Sequence, residues 1–549
     1  LCADYVSSDY IILHMPLTPD AVSMRVHPYY MIPSLFSPLD YNAMEASGIL
    51  SAFNSPALNN QGKGVLIGLV DTGIDYRSPL FQNPDGTTRI AGIWDQSVPI
   101  EEDVLPAGVP DYYPMGGSSY GTEYTREQIN EALASDDPLS LVPTQDTIGH
   151  GTFLAGLSAG SSIPQEDFTG AAPEAELAVV KLKPAKKYLR DFYLIPSDAP
   201  AFQENDIMMG IKYLRMMADR LKKPLVILLA MGSNSGSHIG TSPLSQVTQN
   251  YSGFFGIITV IACGNETGAA HHFYASIPAG TEYEDVEIRV GKEEAERGFV
   301  LELWAADADT YTVGFISPSG ERISRIPIIA NNETSIPFLL DATTITVNYQ
   351  LIEAESGSQL IFMRFQTPAA GIWTVRVYNT QRFKGTFHMW LPVQGMISEE
   401  TVFLRPDPYS TITVPGNSRL PITVGAYDTS TGGIYIHSSR GFTPNQIVKP
   451  ELAAPGVNIL GPSVGRKPGS DTPMTTRTGT SAAAAITAGA AANLLGWGIV
   501  EGNYPTMSEA SVKSYLIRGA QRNPALTYPN REFGYGTLDL FQTFLRLRE

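Results

Sequence analysis

Five stretches of the chain are almost continuously apolar: "GVLIGLVD" (64–71), "AELAVVKL" (175–182), "KPLVILLAMG" (223–232), "FGIITVIACG" (255–264) and "SRLPITVGAY" (418–427). Runs of this length without alternation fit strands buried on both faces, the condition of a parallel sheet covered by helices. Helix-like stretches stand between them at 151–160, 205–221 and 242–253. Strand and helix therefore alternate as in a doubly wound α/β sheet. Right-handed crossovers bring the carboxyl ends of such strands to one edge, where ligands bind.

From 283 to 397 the pattern changes. "VEIRV" (286–290), "FVLELW" (299–304), "YTVGFI" (311–316), "TITVNYQ" (344–350), "LIFMRF" (360–365), "IWTVRVY" (372–378) and "FHMWL" (387–391) are short, alternating and separated by turn residues. That is the pattern of an antiparallel β-sandwich or jelly roll. The α/β pattern resumes after 398, so this stretch reads as an insertion. The predicted organisation is an N-terminal extension (1–40), a first α/β part (41–282), an inserted jelly-roll-like sandwich (283–397) and a second α/β part (398–549).

A third pattern is "GTSAAAAITAGAAANLLGWGIV" (479–500), which carries no charge. About twenty apolar residues would cross a bilayer. Alanine dominates this run, however, and Gly489, Asn493 and Gly496 interrupt it, unlike the Leu, Ile, Val and Phe of membrane spans. A small, smooth helix buried in protein fits better. Its amino end, just after Ser481, would present free N–H groups and a partial positive charge to an anion.

Composition narrows the function. A chain of 549 residues exceeds the ~250–300 that one core supports, so at least two domains are expected. The formal charge of −18 argues against non-specific binding to nucleic acid or an anionic membrane. The two cysteines, Cys2 and Cys263, do not suggest a disulfide framework, and Cys263 reads as a buried free thiol. "LCADYVSSDYIILHMPL" lacks the basic leader and long apolar core of a secretory signal.

Three short pieces carry chemistry: "LVDTGID" (69–75), "TIGHGTFLAG" (147–156) and "RTGTSAAAAITAG" (477–489). Each alone has an ordinary structural use, as a turn acid, a cap or core histidine, and a helix N-cap. Together they offer an orienting carboxylate, a general base and a nucleophile.

In that order the three resemble the signatures of the subtilisin-like serine proteases (subtilases, peptidase family S8): Asp-Thr/Ser-Gly, His-Gly-Thr and Gly-Thr-Ser-x-Ala. "IACGNETG" (261–268), "SSRG" (438–441) and "KPELAAPGVNIL" (449–460) are similar to further family segments. The resemblance covers about 41–282 and 398–549. It implies a catalytic triad of Asp71, His150 and Ser481 acting through an acyl-enzyme, with Asn265 in the oxyanion hole. It also implies an extended substrate beside Ala230, Met231 and Gly232, with Ala262, Cys263 and Gly264 on the other wall of the specificity pocket.

Two departures from the family stand out. Ala484-Ala485-Ile486 replaces the usual Ser-Pro-His, and only some forty residues precede the catalytic part, fewer than the family's usual propeptide, so that either a propeptide was cleaved away or this branch folds without one.

The insert, with "GKGVLIGLVDTGIDYRSPLF" (62–81) and "GTTRIAGIWDQS" (86–97), resembles the clostridial Csp germination proteases. Those are subtilases with a jelly-roll insert that activate a cortex-degrading hydrolase in spores. Localisation stays open: a Csp-like chain would be extracellular or spore-associated, and the absence of a visible signal also allows a cytoplasmic location. The expected partner is a protein or peptide substrate, with neither nucleic acid nor membrane.

No redox or nucleotide cofactor is expected. Asp75 is a candidate calcium ligand by family analogy, or else a turn and cap residue. His271 and His272 read as surface or loop histidines, since no Cys or paired carboxylate lies at metal-ligand spacing. The rival reading is a catalytically impaired pseudoprotease used as a binding or signalling module.

Overall fold

The structure, a computed structural model, describes residues 2–7, 10–14, 28, 31–33, 35–38 and 45–547, except 56–57, 100–119, 164–167, 307, 330–332 and 466–472. Most of the predicted extension 1–40 therefore lies outside the described residues.

An eight-stranded sheet forms the α/β part, in the spatial order Leu452–Pro455, Ile422–Tyr427, Ile257–Ala262, Leu225–Leu229, Leu66–Asp71, Glu176–Lys181, Ile90–Asp95, Thr122–Thr125. All pairings are parallel except the last. Each of the five apolar runs named first supplies one strand of this sheet. The two faces divide by residue parity, as a strand's period of two requires. Ile67 and Leu69 join a core with the helices His150–Ala159 and Thr480–Leu495. Leu66 and Val70 join another with the helices Glu204–Leu221 and Pro243–Ser252. This is the doubly wound arrangement expected.

Thr480–Leu495 is buried at every residue and continues helically to Val500. Among the described residues it is the one helix long and apolar enough to cross a membrane, but most of it is inside protein. The small side chains allow close approach. A Cβ on Gly489 would lie 2.3 Å from the Ala171 Cβ, and Asn493 Nδ2 donates to the Ala171 carbonyl at 2.7 Å.

Two larger antiparallel sheets form a second layered unit. One runs in the order His272–Ser276, Thr386–Trp390, Phe299–Ala305, Leu360–Gln366, Thr343–Gln350, Glu333–Phe338. The other runs Arg322–Ile323, Thr310–Ile316, Gly371–Gln381, Tyr283–Val290, Val402–Phe403. Their alternating apolar residues, among them Val286, Ile288, Leu301, Leu303, Trp373 and Val375, form one buried cluster. Strands 272–276 and 402–403 extend these sheets beyond the 283–397 expected from the sequence. The pair His271-His272 and the brevity of Val402-Phe403 hid both from a reading of hydrophobic pattern.

The outer face of the six-stranded sheet docks on the α/β part. Trp304, Phe362 and Trp390 pack with Leu189, Phe192 and Tyr193, and Phe192 stacks on Phe362 with ring centres 5.4 Å apart.

His271 and His272 are buried, which corrects their reading as surface histidines. His271 Nδ1 bonds Glu266 at 3.1 Å. His272 lies between the Asp407 carbonyl at Nδ1 (3.1 Å) and His388 Nδ1 at Nε2 (2.9 Å). His238, His272 and His388 all stack on Trp390. Burial holds the pKa of His238 down at about 4 and that of His388 at about 3, and pushes His272 well below the usual histidine range.

These imidazoles are neutral in the folded chain, whereas the unfolded chain protonates them near pH 6.5. Stability is therefore complete above that value and is lost as pH falls through 6.5 toward 4 and 3. Melting followed by calorimetry from pH 7.5 to 4 should show the midpoint falling. His388→Gln, which keeps a donor for His272, should flatten the fall, and an unchanged slope would place the acid lability elsewhere.

Candidate active site

Asp71 ends the strand Leu66–Asp71 at its carboxyl edge. Its Oδ1 accepts from the Thr72 N–H at 2.7 Å and meets His150 Nδ1 at 2.7 Å. Both side chains are 2% exposed, so the pair is dry. His150 is the first residue of its helix and is preceded by Gly149, whose φ of +80° favours glycine. Gly151 is required for a different reason: a Cβ there would stand 2.1 Å from the Gly73 carbonyl oxygen. The His-Gly pair thus lets the helix start press directly against the aspartate turn.

Asp146, which sequence reasoning missed, joins the two segments. Its Oδ1 accepts from Thr72 Oγ1 (2.8 Å), Ile148 N (3.1 Å) and Gly149 N (2.7 Å), and its Oδ2 from Thr152 N (2.9 Å) and Thr152 Oγ1 (2.8 Å). Thr72 Oγ1 in turn accepts from Gly151 N at 2.9 Å. One buried carboxylate therefore fixes the turn after Asp71 and the first turn of the His150 helix together. In sequence, an acid four residues before a histidine offers no sign of this beyond its spacing.

Ser481 stands in the first turn of the helix Thr480–Leu495. It is wholly buried, and its Oγ has no hydrogen-bond partner among the described residues. The Asp71–His150 link is thus formed, while a bond from His150 to the serine hydroxyl is not.

Asn265 follows the strand Ile257–Ala262 and is tied to the serine helix. Its Oδ1 accepts from Thr480 N at 3.0 Å, and Gly264 N donates to Thr480 Oγ1 at 3.3 Å. With Oδ1 engaged, the Nδ2 hydrogens are the free donors of this carboxamide.

Ala230, Met231 and Gly232 are buried at the end of the strand Leu225–Leu229. Met231–Gly232 pairs antiparallel with Leu35–Pro38, in the register Met231↔Pro38 and Gly232↔Ser37. The other edge of Leu35–Pro38 pairs antiparallel with Phe202–Gln203. An extended backbone from the N-terminal region therefore lies between two edges that include the predicted substrate strand.

Ala262, Cys263 and Gly264 are buried at the end of the neighbouring strand. Burial pushes the Cys263 thiol up to about 12, and it lies against Ser438 Oγ and the Ser439 carbonyl, the setting of an inert thiol. Gly264 has φ of +102°, and a Cβ there would meet Thr413 Cγ2 at 2.6 Å. Asp75, the candidate calcium ligand, is paired with Arg77 through both oxygens, at 2.8 and 3.1 Å.

Comparison with known proteins gives the family and the fold. The family model of the subtilases (peptidase S8) matches residues 62–317 and 405–536. The CspB protease of Clostridium perfringens superposes with a TM-score of 0.79 at 30% identity, covering 92% of this chain and 97% of that one. The Arabidopsis thaliana subtilisin-like protease SBT3.12 is 23% identical over 86% of this chain and 59% of its own length. A second plant protease, SBT3.5, is 23% identical over 92% of this chain and 64% of its own length. The chain thus spans roughly three fifths of the plant proteins it matches.

Proposed function

The chain belongs to the subtilase family of serine peptidases, and on that premise we propose that it is an endopeptidase that cleaves proteins or peptides through an Asp71-His150-Ser481 triad. The observation that carries this reading is the buried 2.7 Å contact between Asp71 and His150. A carboxylate on Nδ1 fixes the imidazole tautomer and leaves Nε2 to take the Ser481 proton as Oγ attacks the peptide carbonyl. Asn265 Nδ2 and the Ser481 N–H bind the oxyanion, helped by the positive end of the helix behind them. The protonated His150 then hands its proton to the departing amine, and water hydrolyses the acyl-enzyme by the same route.

Substrate binds as an extended strand on Met231–Gly232, in place of the segment Leu35–Pro38 that pairs there. The antiparallel course of Leu35–Pro38 along that strand supports this, because main-chain pairing of the same kind would serve a peptide. No redox or nucleotide cofactor enters the mechanism.

The chain divides into an extension (1–40), a catalytic domain in two parts (41–282 and 398–549) whose ends lend the strands His272–Ser276 and Val402–Phe403 to the sandwich, and a jelly-roll-like β-sandwich inserted between them. The likeness to CspB supports a processing protease of the Csp type. The rival reading, an impaired module, has to explain why all four residues of the machinery are intact and why Asp71 already holds His150.

Asn265→Ala tests the reading at the oxyanion. Loss of such a donor costs about 100- to 1,000-fold in kcat with little change in KM. Peptide hydrolysis should show that split, whereas a change confined to KM would make Asn265 a ground-state substrate contact.

A further inference from the structure

We propose that the antiparallel unit positions the oxyanion asparagine, through Glu266 and Gln394. The inference rests on the reading of Asn265 as oxyanion donor and names what holds it in place. Glu266, next in the chain, is 3% exposed and is the meeting point of three segments. Its Oε1 accepts from the Gln394 N–H at 3.1 Å. Its Oε2 accepts from Asn234 Nδ2 at 3.0 Å and faces His271 Nδ1 at 3.1 Å. His271 Nε2 is buried with no partner among the described residues, which assigns the imidazole hydrogen to Nδ1, where Glu266 accepts it. The Glu266 N–H donates to Ser439 Oγ at 3.0 Å.

Gln394 also reaches Asn265 directly, its Nε2 donating to the Asn265 carbonyl at 3.0 Å. Asn234 Nδ2 completes the ring by donating to the Leu391 carbonyl at 3.2 Å. Leu391 to Gln394 follow the strand Thr386–Trp390, so these bonds come from the six-stranded sheet. Asn234 lies just past Met231–Gly232, so the same carboxylate joins the exit of the substrate strand to the oxyanion loop.

The Asn265 side chain is thus held by the serine helix, its carbonyl by Gln394, and the residue after it by a buried carboxylate. Hydrogen bonds to an ionised acceptor are shorter and stronger than those between neutral groups. Burial alone would be as well served by an apolar side chain, so a carboxylate gathering donors from three segments beside Asn265 is a device for position.

Labelling of Ser481 by an alkyl fluorophosphonate on the full chain tests this, since the phosphoryl oxygen occupies the oxyanion site in that reaction. The limiting labelling rate and the half-saturating probe concentration are measured for the parent, Glu266→Gln, Gln394→Ala, Asn265→Ala and the double variants. A shift of the donor should lower the limiting rate about tenfold in Glu266→Gln, with half-saturation unchanged. Gln394→Ala should act in the same direction more weakly. In the Asn265→Ala background both changes should lose their effect, since no donor remains to be positioned.

Equal losses in both backgrounds, or an effect on half-saturation alone, would overturn the proposal while leaving the oxyanion reading intact. An unchanged rate in Asn265→Ala itself would overturn both. Melting temperatures accompany every variant, and Gln394→Ala, at an exposed side chain, carries the cycle if Glu266→Gln does not melt cooperatively.

Discussion

Replacing Ser481 by alanine is expected to abolish peptide hydrolysis and fluorophosphonate labelling while leaving the fold as stable as before, or more so. The two halves of that expectation have separate causes. Activity falls by about 10⁶-fold because nucleophile and base act as a unit, a magnitude borrowed from subtilisin itself. Stability is spared because Ser481 Oγ is buried with no partner among the described residues, so its removal deletes an unsatisfied polar atom and breaks no bond there. Alanine also suits a helix start that runs on through Ala482 and Ala483. Hydrolysis of a peptide library, mass spectrometry of the labelled protein and a melting curve check the three points. Labelling that persists at the parental rate in the variant would show that another residue is the nucleophile.

What the chain's pattern discloses follows from which interactions are local. The five apolar runs were readable as central strands because a strand covered on both faces must be apolar throughout, and Leu66–Asp71 and Ile257–Ala262 are. Leu452–Pro455 is short and ends in proline, and Thr122–Thr125 is a polar edge strand paired antiparallel. Neither has a signature of its own, and their membership depends on the neighbours they meet. The pairing of Leu35–Pro38 with Met231–Gly232 is a main-chain contact across distant parts of the sequence, on which side-chain pattern is silent.

The site divides in the same way. Asp71, His150, Asn265 and Ser481 were legible as residue types in motifs. Asp146 and Glu266 were not, because a buried acid that gathers donors looks in sequence like any turn acid. Its identity rests on partners such as Thr72 and Gln394, brought to it by folding. The same holds for His272, whose neighbour His388 lies 116 residues away.

Asp71→Asn should cost about 10⁴-fold in kcat with a much smaller change in melting temperature. The substitution is nearly isosteric, and a carboxamide oxygen in the place of Oδ1 can still accept from Thr72 N. Asp146 continues to hold the aspartate turn and the His150 helix together, so the local backbone has no cause to move. What is lost is the negative charge. Asp71 and His150 are each 2% exposed, so the imidazolium that forms as Ser481 attacks has little water to stabilise it. In such a setting an unpaired cation is costly, and that cost enters the transition state but not the resting enzyme. A carboxamide can also turn its NH₂ toward Nδ1, which fixes the wrong tautomer and leaves Nε2 protonated and unable to accept from Ser481. The loss should therefore appear in kcat, with KM nearly unchanged, when hydrolysis of one peptide is followed across substrate concentration. A variant that keeps its parental kcat, or one whose melting temperature collapses together with activity, would show that the 2.7 Å contact serves the fold and not the base.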